Sequence, residues 1–224
     1  GVAIGMHHCL FTDYSAVVRM NQDGTANVIS GAVEIGQGCT SIMVQVVAEA
    51  LGLRYQDVSA TMADTATTPL GRGNTGSMGT SSAVTAAKHA ADDARSKLLG
   101  IAARELGVNP EELSLKDRLA FVTSQPEKQI PLATVCQKGF QIIGVGLNPH
   151  PDTIRDKATG EILQHYAVAA VVAEVEVDTD TGELTILRIS SVNDCGKAIN
   201  PNLVENQIDL GITMGNGWLR TENF

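Results

Sequence analysis

The spacing of hydrophobic positions changes several times along the chain, and each change marks an element. Residues 26–33, ANVISGAV, are small and β-branched and read as a strand, whereas Ile42, Met43, Val46, Val47, Ala50 and Leu51 recur at helical spacing. The period switches at Gly36-Gln37-Gly38. Two glycines flanking one amide, with Thr40 and Ser41 behind them, predict a turn whose backbone a ligand can approach closely, because no Cβ stands in the way. The N–H groups of the helix's first turn point into such a turn and favour an anion. The same spacing also suits a plain strand-to-helix connection, since short glycine motifs recur without function.

Ahead of that strand, residues 15–20 lead into Asn21-Gln22-Asp23-Gly24-Thr25, whose Asp-Gly pair signals a hairpin. The strand that delivers Gly36 is therefore expected to be paired and rigid. Residues 2–10 are small and apolar around His7-His8. Neighbours on a strand face opposite ways and do not readily share one ion, so these histidines read as structural or surface residues. After the helix, residues 56–60 predict a short strand and residues 62–74, which include Pro69, a loop. Ala83, Ala87, Ala90, Ala94, Leu98 and Ala102 then form a stripe of mainly small side chains at helical spacing, which predicts close packing. The start of that helix clusters Ser77, Thr80, Ser81 and Ser82 with Gly76 and Gly79. One Ser or Thr suffices for a cap, so this density of hydroxyls points to an anionic ligand held by side-chain and backbone donors.

Residues 108–164 carry weaker signals: a helix start at Asn109-Pro110-Glu111, a strand over 118–122, a short helix with Pro131 as its first residue, a strand over 139–144, and a long irregular loop over 147–163. Such a loop covers a site, meets a partner, or is simply variable surface. Strand-like character returns over 165–178 and 183–192, a second hairpin turning at Thr179-Asp180-Thr181-Gly182. Glu174, Glu176 and Asp178 share one face there without a nearby histidine, which reads as a solvated face. A second glycine turn follows at Cys195-Gly196, then a helix over 203–215 carrying Gln207. Two amide side chains near two glycine turns suit a ligand with many hydrogen-bonding edges.

Composition narrows the class. A chain of 224 residues, 43% hydrophobic, can bury a sizeable core as one domain or two small lobes. A net charge of −9 and a pI near 4.9 argue against nucleic acid or an anionic membrane as partner. No apolar run approaches the ~20 residues that span a bilayer, and no basic-then-apolar leader stands at Gly1, although the chain does not open with Met. Cys9, Cys39, Cys136 and Cys195 are far apart and form no zinc or iron–sulfur ligand pattern. They are expected to be reduced, structural thiols of a cytoplasmic protein, with Cys39 and Cys195 packed in their turns.

VEIGQG at residues 33–38, TGSMGTSSA at 75–83, AEVEVDTDTGELTILRI, and NDCGKAINPNLVENQIDLG at 193–211 occur in this order in molybdenum hydroxylases. Over nearly its whole length the chain resembles the molybdopterin-binding subunit of the xanthine dehydrogenase and aldehyde oxidase family. The resemblance implies an α+β fold of two hairpin-containing lobes, with mixed sheets and packed helices, forming part of the molybdenum-cofactor-binding domain. Residues 1–110 would be a first cofactor-binding lobe, 111–164 short connecting elements and a long loop, and 165–224 return strands with a second cofactor-contacting turn. By motif position, Gly36, Gln37 and Gly38 would border the dithiolene and molybdenum. Ser77, Met78, Gly79, Thr80, Ser81 and Ser82 would hold the pterin and its phosphate, and Gln207 would bond to the pterin.

The implied cofactor is molybdenum-bearing molybdopterin, with the cytosine dinucleotide form among its variants, and the implied reaction is hydroxylation of an electron-poor carbon of a purine, N-heterocycle or aldehyde. Iron–sulfur clusters and FAD would sit on other domains or subunits, which together with the rest of the molybdenum subunit would be the partners. The family's base glutamate is expected beyond Phe224 and an earlier lobe before Gly1, so the chain reads as a fragment or one piece of a split subunit, inactive alone and either oligomerising or marginally stable by itself. The Ala-rich helix and the Ser77–Ser82 turn would then be surface awaiting cover. A non-catalytic scaffold that keeps the fold without the cofactor is the alternative, against which Gln37, Gln207 and the hydroxyl cluster weigh.

Overall fold

The computed structural model describes residues 1–9, 12–148, 158–159 and 165–223. It is α+β and divides into two compact units, one of residues 11–162 and one made of residues 1–10 with 163–224. These boundaries differ from those expected at 110 and 164, for a reason that lies in strand pairing.

In the larger unit, β2 (Tyr14–Met20) and β3 (Ala26–Ser30) form the expected hairpin, closed by the Asn21–Thr25 turn with Gly24 at φ 83°. α1 (Cys39–Leu51) crosses over to β4 (Val58–Met62), which pairs parallel to β3. The start of that strand falls two residues later than the pattern suggested, because Tyr55–Asp57 form a 3₁₀ turn, with Asp57 accepting the Arg54 N–H at 3.1 Å. The sheet order is β4-β3-β2-β8, with β8 (Ile143–Asn148) antiparallel to β2. A strand expected over 139–144 thus begins at Ile143 instead.

Residues 79–84 form a π-helical turn that runs directly into α2 (Thr85–Leu106). The stripe Ala83, Ala87, Ala90, Ala94, Leu98 and Ala102 is fully buried, so this face is the core of the unit and not a surface awaiting cover. Its small residues match small residues on β8. A Cβ at Gly144 would stand 1.9 Å from the Ala90 carbonyl oxygen, and one at Gly146 would stand 2.1 Å from that of Ala86. The helix backbone therefore lies on the strand itself, a contact that larger side chains on either element would prevent.

β5 (Leu113–Lys116), β6 (Leu119–Val122) and β7 (Gln125–Pro131) make a second, antiparallel sheet, followed by α3 (Leu132–Lys138). Pro131 ends β7 and caps α3 from outside rather than being its first helical residue, and the helix start expected at Asn109 is a single 3₁₀ turn, Pro110–Glu112. β5, β6, β7 and β8 belong to the larger unit and are more than connectors. The long loop expected over 147–163 lies mostly outside the described residues.

The smaller unit is an antiparallel sheet in the order β1-β9-β10, with β1 (Val2–Cys9) pairing β9 (His165–Val177) from Val2 opposite Val172 to Cys9 opposite His165. This pairing removes the first strand from the first lobe. β10 (Leu184–Asp194) completes the second expected hairpin. α4 (Pro201–Arg220) starts with Pro201, the Asn200 side chain accepting the Leu203 N–H at 3.2 Å, and ends with Arg220 donating to the Leu184 carbonyl at 2.7 Å. None of its residues is buried. Val2, Ile4, Met6 and Val192 lie 70–79% exposed on one face of the sheet. His7 and His8 are exposed, with their rings stacked 5.3 Å apart. Among the described residues no helix is long and apolar enough to cross a membrane.

Candidate functional site

Two helices of the larger unit start beside each other, and the residues around their starts include most of those singled out by sequence. The turn ahead of α1 holds Gly36 at φ 99° and Gly38 at φ 81°, left-handed conformations that favour glycine. Glu34 folds into the concave side of this turn. Its Oε1 accepts the N–H groups of Gly36 at 2.9 Å and Gly38 at 3.0 Å, and its Oε2 accepts that of Thr40 at 2.9 Å. The anion that the α1 N-terminus favours is therefore supplied by the chain itself, where the sequence suggested a ligand. Burial pushes the Glu34 carboxyl up, but the N–H groups of Thr40, Gly38 and Gly36 together outweigh it and hold the group below the usual carboxylate range.

Gln37 folds back in the same turn. Its Nε2 donates to the Val33 carbonyl at 3.0 Å and its Oε1 accepts the Ile35 N–H at 2.7 Å. The amide keeps a second N–H and a second lone pair. Val33 O also accepts a bond from Asn74 Nδ2, so one carbonyl ties the Gly36–Gly38 turn to the loop that precedes the second helix start. Asn74 Oδ1 is buried and makes no hydrogen bond among the described residues. A Cβ at Gly79 would stand 3.5 Å from that oxygen and 3.7 Å from Cys39 Sγ, ordinary contact that seats the two starts against each other. Cys39 is buried as expected, and burial pushes its thiol up to about 11, so it packs as a neutral thiol.

At the second start Gly76 and Ser77 are both left-handed, at φ 53° and 59°. The hydroxyl cluster divides in two. Ser82 is buried, its Oγ accepting the Thr12 N–H at 3.1 Å, and Ser81 Oγ donates to the Ser77 carbonyl at 3.3 Å. Met78 is buried, and its sulfur accepts from Thr12 Oγ1 at 3.7 Å. Ser77 and Thr80 are exposed, and the first turn carries neither an acidic residue nor a side-chain cap. Among the described residues, then, no acid of the first turn and no side-chain cap offsets the positive end of this helix.

Gln207 is exposed on α4 and belongs to the smaller unit. There Gly196, at φ 72°, donates its N–H to Asp194 Oδ1 at 3.0 Å. Cys195 is exposed, contrary to the packing expected of it, because its turn projects from the end of β10 with no buried residue on the following helix. Glu174, Glu176 and Asp178 are exposed, and Asp178 serves its own turn by accepting the N–H groups of Asp180 and Thr181 at 2.8 and 3.0 Å. Glu34 and Asn74 were not legible as site residues. Acid placement offered a signal for Glu34, an acid a few residues before a helix start.

An α+β chain with glycine turns, amides and hydroxyls gathered at paired helix starts has the make-up of a binding domain for a large polar cofactor. The chain matches the family described as molybdopterin cofactor-binding domain over residues 1–224, and it belongs to that family, found in the molybdenum-binding subunits of molybdenum hydroxylases. It is 30% identical over 209 residues to the nicotine 6-hydroxylase large subunit of Paenarthrobacter nicotinovorans, covering 91% of this chain and 25% of that protein. To the xanthine dehydrogenase molybdenum-binding subunit of Escherichia coli O157:H7 it is 32% identical over 209 residues, covering 91% and 27%. Its fold matches the crystal structure of quinoline 2-oxidoreductase from Pseudomonas putida 86 with a TM-score of 0.83 at 24% identity, over 95% of this chain and 29% of that one. The chain thus spans about a quarter of the length of the curated relatives it matches.

Proposed function

We propose that this chain holds one side of a molybdenum–molybdopterin cofactor in a hydroxylase that oxidises an electron-poor carbon of a purine, N-heterocycle or aldehyde, with water as the oxygen source. The observation that carries the reading is the pairing of the Gly36–Gly38 turn with an uncapped helix start through the shared Val33 carbonyl. The residues present fit such a group. Gly36 is left-handed and has no atom within 4 Å of where a Cβ would stand, so a bulky ligand can reach its backbone. Asn74 Oδ1, buried and without a hydrogen bond among the described residues, is an acceptor beside the same turn.

In this reading the first N–H groups of the π-turn and the exposed hydroxyls of Ser77 and Thr80 bind the phosphate, as helix N-termini do. Met78, Gly79, Ser81 and Ser82 shape that turn, Ser82 by fixing Thr12 and Ser81 by fixing Ser77. The remaining N–H and lone pair of Gln37 meet an edge of the pterin. When bound, the cofactor supplies the two-electron chemistry of R–H + H₂O → R–OH + 2H⁺ + 2e⁻. The chain's own residues orient and retain it. The electrons require iron–sulfur and flavin partners, and the substrate pocket requires further segments of the molybdenum subunit, all expected in the cytoplasm. On this reading the 224 residues alone do not turn over substrate.

Metal and pterin analysis of the native complex containing this chain tests the proposal. Molybdenum and pterin present together in stoichiometric amount are the expected result. A complex free of both would overturn the reading and leave the scaffold alternative.

A further inference from the structure

Glu34 is the charged group closest in sequence to the Gly36–Gly38 turn, and no motif reading assigned it a role. Its bonds to Gly36, Gly38 and Thr40 span the whole turn, from before the first glycine to the first turn of α1. A side chain at this position with one methylene fewer would not extend as far along the turn. A glutamine of the same length would set an NH₂ against at least one N–H donor. The geometry therefore uses both the length and the charge of a glutamate. The α1 start already holds a carboxylate, whereas among the described residues no acid lies in the first turn at residues 79–84, which leaves that start the better placed to offer its dipole to a ligand.

We propose that Glu34 is a positioning residue of the cofactor site: it locks the Gly36-Gln37-Gly38 turn in its left-handed shape and keeps a cofactor phosphate from α1, directing it to the helix start at Ser77–Ser82. This rests on the cofactor reading above. Glu34 touches no reacting atom. Its effect passes through the backbone of the turn, and through Gln37, whose bonds to Val33 and Ile35 flank Glu34 in sequence.

The test uses the native complex with Glu34→Gln and Glu34→Ala, and with Asp178→Asn as a control that removes the charge of another carboxylate holding two backbone N–H groups, in the β9–β10 turn. Molybdenum and pterin content and the rate of cofactor release are measured together with the thermal midpoint. The expected result is about tenfold faster release in both Glu34 variants, equivalent to the loss of a good cap, with Asp178→Asn retaining cofactor like the wild type. Should Glu34→Ala fail to assemble, the near-isosteric Glu34→Gln carries the test. Loaded wild type with unchanged release in Glu34→Gln overturns the inference alone, as does equal loss in Asp178→Asn, which would mark a general stability effect. Wild type without molybdenum and pterin overturns the cofactor reading and this inference with it.

Discussion

The starts of α1 and α2 in the larger unit are built from similar residues and end in opposite electrostatic states. At α1 two left-handed glycines bend the chain so that its own glutamate accepts three backbone N–H groups. At the π-turn before α2, a left-handed glycine and serine bend the chain, yet no acid follows and the exposed hydroxyls of Ser77 and Thr80 remain at the mouth. The difference shows that a glycine turn ahead of a helix does not by itself make an anion site. What decides is whether the chain brings its own anion.

The largest effect is expected from breaking the packing that seats α2 on β8. Gly144→Val places a Cβ within 1.9 Å of the Ala90 carbonyl and should displace α2 from β8, costing about 3 kcal/mol or more. Denaturant titration of the full-length protein checks this, and a loss below about 1 kcal/mol would mean that the helix can shift without consequence.

Glu34→Ala acts on the closed start alone. Three lost acceptor contacts at an exposed turn should cost about 1–2 kcal/mol at neutral pH. Because the folded-state pKa of Glu34 lies below its ordinary value, its contribution is fully present above the ordinary carboxylate pKa and is lost as pH falls through the folded one. Thermal midpoints of wild type and variant should therefore differ most near neutrality and converge in acid. A gap that widens on acidification would contradict the clamp.

Gln37→Ala is subtler. Its bonds to Val33 O and Ile35 N brace the turn, so about 1 kcal/mol of local stability should go with it, alongside weaker cofactor retention of about 1–3 kcal/mol per buried bond lost. Retention that falls with no change in stability would mean that the amide serves the ligand alone.

Much of this contrast was legible in the sequence, and the gaps have physical causes. The Ala83–Ala102 stripe announced a closely packed helix because small residues at a fixed period have few other uses, and the Asp-Gly turn fixed β2 and β3. β7 escaped notice because QPEKQIP is polar and shows no alternation, its stability coming from pairing with β6. The partner of β1 lies more than 150 residues away, and such pairing leaves no local mark. At the site, the glycines and hydroxyls stood out by type, but their division of labour did not. Whether a hydroxyl side chain faces Thr12, as Ser82 does, or is exposed, as Thr80 is, depends on a π-turn that shifts the helical phase. Glu34 carried no mark of its role, because its three N–H partners come together only once the turn folds it back.

The most direct test makes the open start resemble the closed one. Thr80→Asp would place an anion in the first turn of the helix, where it should leave the thermal midpoint unchanged or raise stability by about 0.3–1 kcal/mol. In the native complex the same variant is expected to lose molybdenum and pterin, because the added carboxylate takes the place of the phosphate and repels it. Stability held or raised with cofactor lost is the predicted pair of results, and a Thr80→Asp complex that keeps its full complement of molybdenum and pterin would contradict the account.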